Sequence, residues 1–170
     1  TGHVALVTGG GRGLGRAFAQ ALSASGAAVA VTARSEGQLA KTVRLIERAG
    51  GRALAVVGDA SDPQSVEQAV TAVEGKLGPV DILVNNSGVF DGGPLEEITL
   101  DTWMHVLNVN LTGVFLCSRQ AMKIMKRQRG GRIINIGSIS AQMPRADSAP
   151  YSTTKHGIVG LTKSTALEGR

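Results

Sequence analysis

Five short runs of the chain are apolar at consecutive positions: Val4–Thr8, Ala28–Ala33, Arg52–Val57, Asp81–Asn85 and Arg132–Ile136. Strands covered on both faces read this way, as in a parallel sheet. Between them the apolar spacing changes to that of helices. Leu14, Ala17, Phe18, Ala21 and Leu22 share one face, and Gly26 supplies a stop. Leu39, Val43 and Ile46 form a second helix, ended by Gly50-Gly51. Asp62-Pro63 opens a third through Val66, Ala69, Val70 and Val73. Thr102 to about Gln128 reads as one long helix or two in series, and a last helix starts at Tyr151. Strand–helix repetition predicts an α/β domain with a doubly wound parallel sheet, helices on both faces and strand order 3-2-1-4-5. Such sheets usually carry a sixth strand, whereas this chain stops at Glu168-Gly169-Arg170 near a helix end. Residues 1–170 are therefore expected to be one nucleotide-binding domain, incomplete at the C-terminus and trimmed at both ends.

The first strand runs into Thr8-Gly9-Gly10-Gly11-Arg12-Gly13-Leu14-Gly15, and a helix follows. A glycine turn at a helix N-terminus lets free N–H groups and the positive dipole meet a pyrophosphate. Strict G-x-G-x-x-G fails because Arg16 stands where the last glycine is needed. Walker A fails because Arg16-Ala17 replaces Lys-Ser/Thr. The usable spacing is Gly9, Gly13, Gly15, which indicates a nucleotide without saying which.

The end of the second strand addresses the choice. An acid there would bind a ribose 2′-hydroxyl and favour NAD, and an arginine would take a 2′-phosphate and favour NADP. The sequence has Ala33, then Arg34 and Ser35, with Arg12 in the glycine loop. Two guanidiniums and a hydroxyl, with no carboxylate, predict NADP ahead of NAD.

Tyr151-Ser152-Thr153-Thr154-Lys155 places a phenol and an ammonium at i and i+4, on one helix face. A nearby cation favours a phenolate, which makes a usable acid/base. Alone the spacing is weak. Ser138, beyond the fifth strand, adds a hydroxyl where open α/β sheets hold ligands. Together with the glycine loop, Asp59 after the third strand, Asn85-Asn86-Ser87-Gly88 after the fourth, and Asn110 in Val109-Asn110-Leu111, these residues resemble the short-chain dehydrogenases/reductases. The resemblance covers the whole chain, with Ser87 where the family has alanine. It implies a Rossmann-type fold and a catalytic tetrad of Asn110, Ser138, Tyr151 and Lys155. Tyr151 would exchange a proton with the substrate oxygen and Ser138 would hydrogen-bond it. Lys155 would hold the nicotinamide ribose, and Asn110 would position a water leading to Lys155. The expected cofactor residues are Gly9, Gly11, Arg12, Gly13, Leu14, Gly15, Arg34, Ser35, Asp59, Ala60, Asn86, Ser87 and Gly88, with Tyr151 and Lys155. Within the family the flanks look most like 3-oxoacyl-[acyl-carrier-protein] reductases and related sugar or polyol dehydrogenases. The resemblance also implies a dimer or tetramer built on the long helix and the last one, and later segments that close over substrate, without which this chain alone is expected to be silent.

Composition narrows the alternatives. Hydrophobic residues are 42% and charged residues 18%, a globular balance, and aromatics are 3%, too few for a base-stacking surface. The single cysteine, Cys117, excludes an internal disulfide, and its apolar flanks read as a packed, inert thiol. His3, His105 and His156 have no partner at ligand spacing, so no metal site is expected. The net charge of +5 is mostly scattered, with one cluster at Lys123, Lys126, Arg127, Arg129 and Arg132 that suits an acidic carrier protein. No apolar run is long enough to span a membrane, and no leader opens the chain, so a cytoplasmic enzyme is the default. The competing readings are a nucleotide-binding protein without turnover and a methyltransferase on a similar sheet. Arg34 opposes the latter, where an acid would face the ribose hydroxyls.

Overall fold

A computed structural model describes residues 2–169. Its five strands are β1 (Val4–Thr8), β2 (Ala28–Ala33), β3 (Ala53–Val57), β4 (Ile82–Asn85) and β5 (Arg132–Asn135). They form one sheet in the order β3-β2-β1-β4-β5, with every adjacent pair parallel. Six helices alternate with them: α1 (Gly13–Ala24), α2 (Glu36–Arg48), α3 (Pro63–Lys76), α4 (Leu100–Leu107), α5 (Gly113–Arg127) and α6 (Ala149–Glu168). The strand order and the parallel pairing match the doubly wound sheet expected from the apolar runs.

Side chains of β1 alternate between two cores, as the pleat requires. Val4 and Leu6 join Val66, Val70 and Val73 of α3 and Leu116, Cys117 and Ile124 of α5. Ala5 and Val7 join Ala19 of α1 and Leu39 and Ile46 of α2 on the other face. Burial pushes the Cys117 thiol up to about 12, so it stays protonated and inert. Among the described residues no helix is long and apolar enough to cross a membrane.

Some boundaries differ from the sequence reading. Asp81 does not belong to β4: its carboxylate accepts from the Val4 N–H at 2.7 Å and fastens the start of β1. The expected long helix is interrupted by a π-helical turn, Asn108–Thr112, between α4 and α5. The last helix begins at Ala149, with Pro150 in its first turn, where a missing N–H costs nothing. Asp62 caps α3 as its spacing suggested, accepting from the Ser65 N–H at 2.7 Å. β3 and β5 are the sheet edges. Beside β5 lies a groove of about 820 Å³, lined by Met122, Met125, Arg132, Ile133, Thr162 and others, and Ile134 is exposed.

Candidate active site

The glycine loop sits where β1 ends between β2 and β4. Gly9 has φ +64, and a Cβ there would press on the Asn86 amide at 2.9 Å. At Gly15 a Cβ would collide with the Gly9 carbonyl and the Asn86 side chain. Both positions therefore need glycine, one for conformation and both for space. The Asn86 amide nitrogen donates to the carbonyls of Thr8 and Gly9, at 3.0 and 3.3 Å. The Thr8 hydroxyl accepts from the N–H groups of Asn86 and Ser87, both at 3.0 Å. These bonds hold the loop after β1 to the segment after β4.

A second tie was not legible in the sequence. The buried Thr42 hydroxyl accepts from Arg16 Nε at 3.0 Å and reaches the Gly10 carbonyl at 3.0 Å, while Arg16 also donates to the Gly11 carbonyl. Thr42 looks like an ordinary helix position, because a carbonyl 32 residues away and an arginine 26 residues away give no local signal. Thr42→Val should lower stability by about 1–3 kcal/mol by leaving buried partners unmatched. Denaturant unfolding reads this, and weaker nucleotide binding should accompany it.

The loop forms one wall of a cleft of about 730 Å³. Every glycine-loop, second-strand and Asn-Asn-Ser-Gly residue expected to hold a cofactor lines it: Gly9, Gly11, Arg12, Gly13, Leu14, Gly15, Arg34, Ser35, Asp59, Ala60, Asn86, Ser87 and Gly88. Ala33, Gln38, Gly58, Val89 and Val109 complete the lining. Volume and mixed polar lining fit a dinucleotide-sized ligand. Arg12, Arg34 and Ser35 are exposed as well as lining the cleft. Tyr151 and Lys155 lie outside this lining set.

Asp59 does two things at once. It accepts from the N–H and hydroxyl of Ser61 at 2.9 and 2.7 Å, closing a turn, and it also lines the cleft. Burial pushes its carboxyl up, but the Ser61 bonds and the charges of Arg34 and His105 outweigh this and hold it below the usual carboxylate range. A carboxylate with a lowered folded-state pKa adds stability above its unfolded value, and that stability is lost as pH falls through the folded one. The protein should therefore lose stability on acidification below about pH 4, and Asp59→Asn should flatten that loss in urea titrations at stepped pH.

Helix α6 carries the phenol and the ammonium. Lys155 is 6% exposed, and its Nζ donates to the Ile136 carbonyl just past β5, at 2.8 Å. Burial pushes its ammonium below the usual lysine range. Nζ lies 5.5 Å from the Tyr151 ring centre. Thr154, fully buried, donates to the Tyr151 carbonyl at 2.7 Å and locks the first turn. Ser138 caps a short 3₁₀ turn, Ile139–Ala141, its hydroxyl oxygen accepting from the Ser140 N–H at 3.2 Å. That bond uses an oxygen lone pair and leaves the hydroxyl proton free to donate.

Asn110 sits in the π-helical turn and is buried. Its amide clasps Val89 through both main-chain groups: the Val89 N–H donates to Oδ1 and Nδ2 donates to the Val89 carbonyl, each at 2.8 Å. The side chain thus holds the loop after β4, and Nδ2 also reaches the Thr154 hydroxyl of α6 at 3.4 Å. Asn85 braces side chains rather than the turn backbone, donating to Ser118 at 3.0 Å and Asn135 at 2.8 Å. Among the described residues no three His, Cys, Asp or Glu come together as a metal site.

With this geometry in place, comparison with known proteins is direct. The short chain dehydrogenase family pattern matches residues 3–170. A 3-oxoacyl-[acyl-carrier-protein] reductase of Synechocystis is 41% identical over 169 residues, covering 99% of this chain and 68% of that protein. The 3-oxoacyl-[acyl-carrier-protein] reductase FabG of Salmonella typhimurium is 41% identical, covering 98% and 67%. A solved variant of the actinorhodin polyketide ketoreductase, crystallised with NADPH, superposes with TM-score 0.95 at 40% identity, covering 98% of this chain and 65% of that one. The chain thus spans about two thirds of the length of the relatives it matches. On the parallel sheet, the glycine-loop cleft and these matches, the chain belongs to the short-chain dehydrogenase family.

Proposed function

We propose that the protein is an NADP-dependent carbonyl reductase whose substrate is a 3-oxoacyl thioester, presented on an acidic carrier protein. The observation that carries the chemistry is Lys155. A buried ammonium is costly unless it is used, and this one stands one helical turn from the Tyr151 phenol and 5.5 Å from its ring. When bound, the nicotinamide supplies hydride to the carbonyl carbon. The Ser138 hydroxyl, its proton free, donates to the carbonyl oxygen and orients it. Tyr151 gives that oxygen a proton as it becomes an alcohol, and the Lys155 ammonium favours the phenolate left behind. Asn110 fixes the loop at Val89 that borders the cleft, and its place in the tetrad otherwise rests on the family.

The choice of NADP rests on Arg34, with Ser35 and Arg12 beside it and Ala33 where an acid would repel a 2′-phosphate. Charge-assisted bonds of this kind are worth about 1.5–3 kcal/mol. Arg34→Ala should therefore weaken NADPH by about ten-fold or more and leave NADH nearly unchanged, as read by nucleotide fluorescence titration. Equal losses for both cofactors would remove the assignment. The carrier protein is supported by the relatives' names and by exposed Lys126, Arg129 and Arg132 near β5. Assembly as a dimer or tetramer is supported by exposed Leu100, Met104 and Phe115 on α4 and α5 and Val159 on α6. Sedimentation of the whole gene product as a monomer at micromolar concentration would oppose it.

A further inference from the structure

Phe90 is 68% exposed, although it is one of few aromatic residues in the chain and belongs to neither core. Its ring meets Tyr151 edge to face, with centres 5.3 Å apart and planes at 61°. The exposure is not that of a loose loop tip. The preceding residue, Val89, is clasped at both main-chain groups by buried Asn110. Two residues further on, Gly92 lies so close to the Asp147 carbonyl that a Cβ would not fit. Asp147 in turn leads into Ser148, whose hydroxyl pairs with that of Ser152 on α6 at 2.9 Å. Phe90 is therefore mounted between two anchors, each tied to α6: Asn110 Nδ2 also reaches the Thr154 hydroxyl at 3.4 Å, and Ser148 pairs with Ser152.

Further exposed apolar side chains stand on the segment after Ser138. Ile139 is 61% exposed and Met143 66%. They belong to one turn, since the Met143 N–H donates to the Ile139 carbonyl at 2.9 Å. The chain segments around the two hydroxyls read as the carbonyl-binding pair thus present exposed apolar side chains, Phe90, Ile139 and Met143. A fixed, exposed aromatic ring beside a reacting phenol favours an apolar or aryl substituent on the carbonyl, and itself offers a polyhydroxylated substrate no hydrogen-bond partner.

We propose that Phe90 is a specificity-determining residue: it takes an apolar substituent of the ketone next to Tyr151 and selects acyl or aryl ketones against sugar-like ones. The inference rests on the reading of Ser138 and Tyr151 as the pair that binds the carbonyl. Its test is saturation-transfer NMR on the protein loaded with NADP⁺, using ethyl benzoylacetate and fructose as probes, together with fluorescence titration of NADPH. Wild type should bind the benzoylacetate and not fructose. Phe90→Ala should weaken the benzoylacetate by about ten-fold, and Phe90→Leu should restore most of it. Affinity for NADPH should be equal in all three proteins, which also shows that the variants fold. Unchanged benzoylacetate binding in Phe90→Ala, absence of its binding to wild type, or preference for fructose would overturn the role of Phe90 while leaving the nucleotide reading intact. A protein that binds no NADP(H) would remove both.

Discussion

Tyr151→Phe in the whole gene product is expected to lower turnover by about 10²–10⁴-fold, the usual range for losing a positioned acid, with NADPH affinity close to wild type. The substitution removes one hydroxyl and keeps the ring, so the edge-to-face contact with Phe90 and the first turn of α6, held by Thr154, should persist. The Lys155 ammonium bonds to the Ile136 carbonyl and not to the phenol oxygen, so its placement does not depend on that hydroxyl. Steady-state rates with a 3-oxoester, set beside fluorescence titration of NADPH, separate chemistry from binding. A variant that keeps most of its rate would mean that another group gives the proton.

Lys155→Ala is expected to damage both quantities. It leaves the Ile136 carbonyl without its donor and opens a void below Tyr151, because the side chain is almost fully buried. A carbonyl deprived of its partner inside the protein costs about 1–3 kcal/mol, so thermal stability should fall too. The rate should fall at least as far as in Tyr151→Phe, since the cation that favours the phenolate goes, and NADPH should bind measurably less tightly. Lys155→Arg keeps a charge but not its compact shape, and should recover only part of the binding. If Lys155→Ala alters the rate and leaves NADPH affinity untouched, the ammonium serves the phenol alone and does not hold the ribose.

The contrast between these residues and the rest of the site explains what the sequence could reveal. The strands were legible because burial on both faces leaves apolar residues at consecutive positions, and the pleat of β1 indeed feeds two cores. The cleft was legible because its glycines lie next to each other in the chain and need no distant partner to be recognised. The arginine at the end of β2 was legible by position alone. What stayed hidden depends on contacts between remote segments. Thr42 and Arg16 brace the glycine loop from helix positions with no distinguishing pattern. The Asn110 clasp on Val89 joins residues 21 apart in sequence. The π-helical turn that places Asn110 was hidden because an inserted residue barely disturbs the apolar spacing of a long helix. Phe90 gave no signal because its meaning lies in its neighbour, Tyr151, which is 61 positions later. The Asn85 side chain bonds Ser118 and Asn135, partners 33 and 50 positions away in the chain.

In the proposed reaction NADP(H) occupies the cleft and the groups at Ser138 and Tyr151 act on a carbonyl. The most direct measurement mixes the whole gene product with NADPH and a 3-oxoacyl ester and analyses the organic product together with the loss of reduced nucleotide. A 3-hydroxyacyl ester should form in equal amount to the NADPH consumed, with NADH far less effective at the same concentration. NADPH that binds without any hydroxy ester appearing would contradict it and leave a nucleotide-binding protein without turnover.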